Sequence, residues 1–135
     1  MMSQNYILDT HCLIWFQEDN SKIPSRVMEK IQEPSNTVFF SQISLFEITI
    51  KQKIGKLPEF TADISEVYHQ AISDNFTYLP IKNQHLFSYR KIPLLENHRD
   101  PFDRLLLATA HEENAIMLSA DNNFNLYVGL IKVFW

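Results

Sequence analysis

Four acidic residues of this chain are placed so that they could hold a metal ion together. Each follows a short apolar run or lies on a predicted helix next to one: Asp9, Glu47, Asp103 and Asp121. Carboxylates that converge without matching cations repel one another, so ionising all four is costly. A divalent cation relieves this repulsion, and hard cations such as magnesium prefer carboxylate oxygen as a ligand. The four acids therefore predict a metal-dependent enzyme that acts on phosphate.

The elements that must position these acids follow from the apolar pattern. Segments rich in aromatic and β-branched residues predict strands at 6–9, 37–41, 76–81, 115–119 and 131–135. Amphipathic stretches between the first four predict helices, including 24–31, 43–54, 61–75 and 101–113. Strands separated by helices imply a mostly parallel sheet covered on both faces. The expected fold is a three-layer α/β/α sandwich with a mostly parallel five-stranded sheet, in a single domain spanning 1–135. The direction of the fifth strand stays open.

Composition excludes several other classes of protein. Apolar residues make up 45% and aromatic residues 13% of the 135 residues, which argues against disorder. With two glycines and no Gly-rich phosphate loop, a Rossmann or P-loop nucleotide site is unsupported. The single cysteine, Cys12, lies in an apolar stretch and is expected to be buried, and the five histidines lack zinc-site spacing. No signal peptide or membrane span is visible, so we expect a cytoplasmic protein.

The formal charge of -4 is unusual for a protein that binds nucleic acid, which normally leaves a basic footprint. Metal ligation would neutralise four of the 16 acids. The basic residues also cluster along the chain, as Lys51, Lys53 and Lys56, and as Arg90, Lys91, His98, Arg99 and Arg104. A local basic rim beside an acidic site is therefore compatible with the sequence, although the net charge gives it no support.

Three of the acids also have purely structural interpretations. Asp9 or its neighbour Thr10 could cap the first helix. Asp100 is expected to be the N-cap of the helix that contains Asp103, with a proline at the first helical position. Asp121 precedes two asparagines, a pattern typical of a turn. Position at the strand ends still favours a ligand site for these acids when they are taken together.

Glu47 is harder to explain as a structural residue. It shares a predicted helical face with Ile43, Phe46, Ile50 and Ile54. A carboxylate in such an apolar stripe costs several kcal/mol unless it is paired or bound to metal. The alternative is an ion pair with Lys51, four residues further on, but that arrangement suits an exposed surface better.

The same residues resemble the PIN-domain family, and within it the VapC-type toxins of bacterial toxin–antitoxin modules. The matching segments run in the family's order over essentially the whole chain: 6–11 with 13–15, 41–48, Lys51 with 55–57, 98–104 with Ala108 and Ala110, and 118–121. The segment 98–104 reads His-Arg-Asp-Pro-Phe-Asp-Arg. One departure is that two asparagines follow Asp121, where many relatives carry a charged residue.

The resemblance implies an endoribonuclease that uses Mg²⁺ or Mn²⁺, forms a homodimer and is inhibited by a small antitoxin protein. By motif position, Asp9, Glu47, Asp103 and Asp121 match the family's acidic metal site. Thr10 and Ser44 match positions that are often polar beside it. We expect Lys51 and Arg104 to steer phosphate, and Asp100 mainly to cap its helix beside the site. Whether Glu47 binds metal or accepts a proton from the attacking water stays open, as does the number of ions.

Other functions fit the sequence less well. A haloacid-dehalogenase-like phosphatase would need a second acid two residues after Asp9, but that position is occupied by His11. A receiver module would need an aspartate after the third strand, where 79–82 supplies none. A catalytically silent PIN-fold module that binds RNA or protein is the remaining alternative, and it predicts the loss of one or more of the four acids.

Overall fold

The computed structural model describes residues 3–19, 21–95, 98, 100–127 and 129–135. Arg99, which belongs to the second basic cluster noted in the sequence, lies outside these described residues. The strands are β1 (Asn5–Leu8), β2 (Thr37–Ser41), β3 (Thr77–Leu79), β4 (Ile116–Leu118) and β5 (Val133–Phe134). The helices are α1 (Thr10–Gln17), α2 (Ser25–Gln32), α3 (Gln42–Lys53), α4 (Ile64–Ser73), α5 (Asn83–Tyr89) and α6 (Pro101–Glu112). A 3₁₀ helix spans Asn122–Tyr127.

The five strands form one sheet in the order β3-β2-β1-β4-β5, and every adjacent pair is parallel. The predicted mostly parallel sheet is confirmed, and the fifth strand, whose direction the sequence left open, is parallel as well. Strand β1 is central, and Tyr6 is in register with Val38 of β2 on one side and Ile116 of β4 on the other.

The alternation of side chains along the central strands explains the three layers. Tyr6 and Leu8 of β1 pack into one apolar cluster with residues of α1, α2 and α4, whereas Ile7 packs into a second cluster with residues of α6. Successive side chains of a strand point to opposite faces of the sheet. The sheet therefore has a helical layer on each face, as the α/β/α prediction requires.

The order of the strands fixes where the candidate site lies. The chain adds β2 and β3 on one side of β1 and then crosses to add β4 and β5 on the other. Such a reversal opens a crevice at the carboxyl ends of the strands on either side of it. Asp9 follows β1 and Asp121 lies three residues beyond β4, so both acids are at this crevice.

Two elements were not predicted from the sequence. In helix α5 the polar residues His85 and Ser88 are buried, whereas Leu86 and Phe87 are 49% and 67% exposed. An ordinary surface helix buries its apolar residues and exposes its polar ones, so the pattern of α5 does not predict a helix. The 3₁₀ helix after β4 was interpreted only as a turn. Among the described residues, no helix has both the length and the apolar character needed to cross a membrane.

Candidate functional site

The four predicted acids meet in one small cleft at the carboxyl edge of the sheet. The cleft has a volume of about 70 Å³ and is lined by Asp9, Thr10, His11, Glu47, Lys51, Asp100, Asp103, Asp121 and Phe124. The structure thus brings together all four acids and three of their five predicted accessory residues. Of the other two, Ser44 contacts Thr10, and Arg104 points elsewhere, as described below.

Asp9 combines the two roles that the sequence left open, because it is both a helix cap and part of the cleft. Its Oδ1 accepts a hydrogen bond of 2.7 Å from the backbone N–H of Cys12, and its Oδ2 accepts one from the hydroxyl of Ser119. Burial raises the pKa of the Asp9 carboxyl to about 6, against the opposing effect of these two hydrogen bonds. The charges of Asp121 and Glu47, which line the same cleft, raise this pKa further.

Glu47 is buried, but the reason is not the apolar stripe expected from the sequence. Phe46 and Ile54 of that stripe are 56% and 59% exposed, and the buried face of α3 consists of Ile43, Ser44, Glu47 and Ile48. The stripe prediction was wrong because the helix is rotated so that its small polar residue and its carboxylate face the interior.

Both oxygens of Glu47 have partners within the cleft. Thr10 Oγ1 donates to Oε1 at 2.6 Å and lies 3.0 Å from Ser44 Oγ. The ammonium of Lys51 lies 2.6 Å from Oε2. The ion pair that was considered more typical of an exposed surface therefore forms at a buried carboxylate, with only the lysine partly exposed.

Asp100 and Asp103 stand at the start of α6. Asp100 is the N-cap, as predicted: its Oδ1 accepts hydrogen bonds from the backbone N–H groups of Phe102 and Asp103, at 2.8 and 3.1 Å. Burial raises the pKa of the Asp103 carboxyl to about 6, with the charges of Asp100 and Glu47 acting in the same direction. A hydrogen bond from His98 to Asp103 Oδ2, 2.9 Å long, opposes this rise.

Asp121 begins the turn that the sequence indicated, since its Oδ1 accepts a 2.9 Å hydrogen bond from the backbone N–H of Asn123. Its own backbone N–H donates to Ser119 Oγ at 3.0 Å, while the hydroxyl of Ser119 donates to Asp9. Ser119 therefore ties the ends of β1 and β4 together, and it holds the two carboxylates on the same side of the crevice.

The donors in this cleft fit a small divalent cation. One ligand atom each from Asp103, Asp121 and the adjacent His98, which does not itself line the cleft, lies within 4.8 Å of the other two, and this group does not include Asp9 or Glu47. Two ligands of one Mg²⁺ or Mn²⁺ ion can be about 4 Å apart when each bond is about 2.1 Å. A small side-chain adjustment would bring the Asp103 and Asp121 oxygens into that range. The carboxylate oxygens that line the cleft suit Mg²⁺ or Mn²⁺ better than a soft metal.

His98 and Ser119 are site residues that the sequence analysis missed. The sequence predicts an isolated histidine at position 98, because no metal-ligand spacing relates it to another donor, but in the structure its Nε2 lies 2.9 Å from Asp103 Oδ2. Ser119 carried one signal, its place directly after the buried strand β4 and two residues before Asp121. A short polar residue at a strand end could have been recognised there as a link between neighbouring acids.

Arg104, predicted to steer phosphate, is instead a structural residue. It is 3% exposed, and its guanidinium donates to the backbone carbonyls of Ile92 and Pro93 and to the hydroxyl of Tyr89. These bonds fasten the segment after α5 to α6. The substrate role is corrected because a guanidinium that is committed to interior acceptors has no free face for phosphate.

We expect Arg104→Lys to lower the free energy of unfolding by about 1–3 kcal/mol, because a single ammonium nitrogen cannot reach the acceptors that three separate guanidinium nitrogens contact. The measurement is urea denaturation. The matched control is Arg26→Lys, since exposed Arg26 donates to the backbone carbonyl of Trp135 at 2.9 Å and should change stability little. Unchanged stability together with weaker RNA binding in Arg104→Lys would restore the phosphate role.

A larger cavity, of about 820 Å³, lies at the opposite, amino-terminal edge of the sheet, beside the first residues of β4 and β5. Its described lining residues include His111 and Lys132 but no acid. Size alone would favour this cavity as a ligand site, but the converging carboxylates and the raised pKa values lie in the smaller cleft.

Comparison with known proteins identifies the family of the chain. The family model of the PIN domain matches residues 6–129, and the chain therefore belongs to the PIN-domain family. No curated protein sequence matches the chain.

Several solved structures share the fold. A chain of VapBC2 from Rickettsia felis, bound to a DNA fragment from its promoter, has a TM-score of 0.66 at 15% identity, covering 98% of this chain and 99% of that one. A chain of DNA-bound VapBC from Salmonella typhimurium has a TM-score of 0.65 at 16% identity, covering 98% of both chains. A chain of VapBC-1 from nontypeable Haemophilus influenzae has a TM-score of 0.65 at 16% identity, covering 97% of both chains. At these identities the likeness shows the fold alone.

Proposed function

We propose that this protein is a metal-dependent endoribonuclease that acts as the toxin of a VapBC-type toxin–antitoxin pair. The observation that carries the proposal is the convergence of four carboxylates from separate parts of the chain in one cleft. Membership of the PIN-domain family supports a nuclease, and the similar structures of VapBC complexes support an antitoxin as partner. All four acids are present, which disfavours a catalytically silent member of the family.

Asp9, Asp103 and Asp121 would hold the divalent cation, directly or through water. When bound, the cation would supply charge neutralisation, activate water and polarise the scissile phosphate. The protein contributes the fixed positions of these carboxylates, because Asp9 is held by the backbone N–H of Cys12 and by Ser119. Preorganised ligands of this kind do not need to be ordered when metal binds.

Glu47 lies on α3 and has a different environment in the cleft from the aspartates. Thr10 and Lys51 hold its two oxygens, so the carboxylate cannot rotate freely. We assign Glu47 the task of accepting a proton from the attacking water or of completing the metal site. Lys51 is the described base nearest to the acids, and it would contact a phosphate oxygen from the rim.

The remaining features of the proposal rest on the family resemblance. RNA rather than DNA is the proposed substrate, Mg²⁺ or Mn²⁺ the proposed cofactor, and a homodimer in the cytoplasm the proposed functional form. The chain from 1 to 135 would constitute one nuclease domain.

The direct test is incubation of the purified protein with total cellular RNA in the presence of Mg²⁺, Mn²⁺ or EDTA, followed by sequencing of the new ends. We expect discrete cuts that need metal. A DNA substrate of the same sequence should stay intact, and expression in a bacterial host should arrest growth.

Each of these three experiments, with RNA, with DNA and in bacteria, has an outcome that contradicts part of the proposal. If no metal supports cleavage of RNA, the chain is a binding module rather than an enzyme. Equal cleavage of DNA would remove the assignment to RNA. Growth arrest by a variant that no longer cleaves RNA would separate toxicity from nuclease activity.

A further inference from the structure

The Asp103 carboxylate is one end of a chain of hydrogen bonds that runs into the protein interior. His98 Nε2 lies 2.9 Å from Asp103 Oδ2, and His98 Nδ1, on the other side of the ring, lies 2.8 Å from the hydroxyl of Tyr127. His98 and Tyr127 are only 4% and 2% exposed. We propose that this His98–Tyr127 pair positions Asp103 for metal binding. The inference rests on the metal-dependent function proposed above.

The chemistry of the three groups sets the direction of both hydrogen bonds. An ionised carboxylate can only accept, so His98 Nε2 carries a proton and donates it to Asp103. In a neutral imidazole the other nitrogen then accepts, and the single proton of the Tyr127 hydroxyl is donated to Nδ1 at 2.8 Å rather than to the His98 carbonyl oxygen at 3.5 Å. The ring engages one of the two oxygens of Asp103, and this contact fixes the orientation of the carboxylate. Hydrogen bonds of this kind behind a ligand typically change metal affinity by about 10- to 100-fold.

Packing keeps the imidazole in place for this task. The His98 ring makes edge-to-face contacts with Phe124 and Tyr127, at centroid distances of 5.7 and 5.5 Å. The backbone N–H of His98 donates to the carbonyl of Leu95 at 3.2 Å, which anchors the main chain at this position. The side chain is therefore constrained by two aromatic rings, two hydrogen bonds and its own backbone.

The same 3₁₀ helix that holds His98 also holds Asp121. Phe124 and Tyr127 belong to the segment Asn122–Tyr127, and Asp121 directly precedes it and accepts from the backbone N–H of Asn123. The segment thus sets the position of Asp121 directly and that of Asp103 through the imidazole. A change at Tyr127 is expected to alter the separation of two carboxylates that would share one ion.

His98 lies close enough to the acids to be considered as a metal ligand itself. Direct ligation would require Nε2 to give up its 2.9 Å contact with Asp103 and Nδ1 to become the protonated nitrogen beside Tyr127. The geometry favours the arrangement in which both ring nitrogens keep their present partners. We therefore assign His98 a positioning role.

The test compares three variants for Mn²⁺ affinity, measured by calorimetry on EDTA-treated and dialysed protein. His98→Ala should weaken Mn²⁺ binding by about 10- to 100-fold. Tyr127→Phe, which removes only the hydroxyl and keeps the ring, should weaken it by a smaller factor. Tyr89→Phe is the matched control, because it removes a hydroxyl that binds Arg104 and has no contact with an acid in the described structure. Its affinity should equal that of the wild type.

Two further measurements separate positioning from other roles. A merely structural residue would lower the melting temperature of the metal-free protein without changing the Mn²⁺ dissociation constant. Pulsed EPR of the Mn²⁺-loaded wild type should show no directly bonded nitrogen, whereas a nitrogen coupling lost in His98→Ala would make His98 a ligand and overturn the inference. If His98→Ala does not fold, an unchanged affinity in Tyr127→Phe overturns it equally. Wild-type protein that binds no Mn²⁺ would instead overturn the metal-dependent function itself.

Discussion

Asp9→Asn and Asp103→Asn are each expected to abolish RNA cleavage while leaving the metal-free protein at least as stable as the wild type. Cleavage is lost because an amide is a poor ligand for a hard cation and cannot neutralise its charge. Stability is kept or raised because a buried carboxylate that is repelled by its neighbours is replaced by a neutral group. Loss of cleavage together with a higher melting temperature would show that these carboxylates serve metal binding at the expense of folding stability.

The amide at position 9 is compatible with the local hydrogen bonds. Its oxygen can accept from the backbone N–H of Cys12 as Asp9 Oδ1 does now. Its nitrogen would face Ser119 Oγ, whose hydroxyl can rotate and accept. The substitution therefore removes the charge and retains the helix cap, so a loss of cleavage cannot be attributed to unfolding of α1.

The matched control is Asp63→Asn. Asp63 is also an N-cap, at the start of α4, where its Oδ1 accepts from the backbone N–H of Ser65, but it is exposed and does not line the cleft. The Asp63→Asn variant should cleave RNA at the wild-type rate. Wild-type cleavage by Asp9→Asn or Asp103→Asn would contradict the assignment of the site, and a large fall in the melting temperature would contradict the repulsion argument.

The sequence was sufficient for the class of fold because the signals involved are local. Apolar runs separated by amphipathic helices predict a parallel sheet, and acids at strand ends then have to share an edge. The N-cap role of Asp100 followed from the same local chemistry and is confirmed. That the four acids lie together is confirmed by the cleft, while their binding of metal stays a prediction.

The parts that could not be predicted depend on contacts between distant segments. Helix α3 buries Ser44 and Glu47 against Thr10 of α1 and exposes Phe46, an orientation that the helix's own apolar pattern does not indicate. His98 contacts Asp103 through Nε2 and, through Nδ1, Tyr127, which lies 29 residues further along the chain. No spacing rule relates these residues, because the hydrogen bonds join segments that only the folded chain brings together.

The stability of the metal-free protein is expected to fall as the pH rises from about 4 to above 6. Burial and repulsion raise the pKa of Asp9 and of Asp103 to about 6, from the ordinary value of 3.8. Each group therefore binds its proton more tightly in the folded chain than in the unfolded chain. The resulting stabilisation is complete below the unfolded value and is lost as the pH rises through the folded value.

The size of the effect follows from the same two values. For fully buried Asp9, the difference between about 6 and 3.8, at 1.36 kcal/mol per unit, corresponds to about 3 kcal/mol. Asp103 is more exposed to solvent and should contribute less. The measurement is urea denaturation of metal-free protein between pH 4 and pH 7. The difference between Asp9→Asn and the wild type should grow across this range, since groups common to both proteins cancel.

Metal binding should restore the stability that the wild type loses as the pH rises, and it should not do so in Asp9→Asn. Binding requires deprotonated carboxylates, so Mg²⁺ or Mn²⁺ should stabilise the wild type at pH 7 and have little effect at pH 4.5. RNA cleavage should have an acidic limb near pH 6 that moves to lower pH as the metal concentration rises, because the ion competes with protons for the same oxygens. A stability difference between Asp9→Asn and the wild type that does not depend on pH would show that Asp9 is not protonated in this range. Equal stabilisation of both proteins by metal at pH 7 would place the ion away from Asp9.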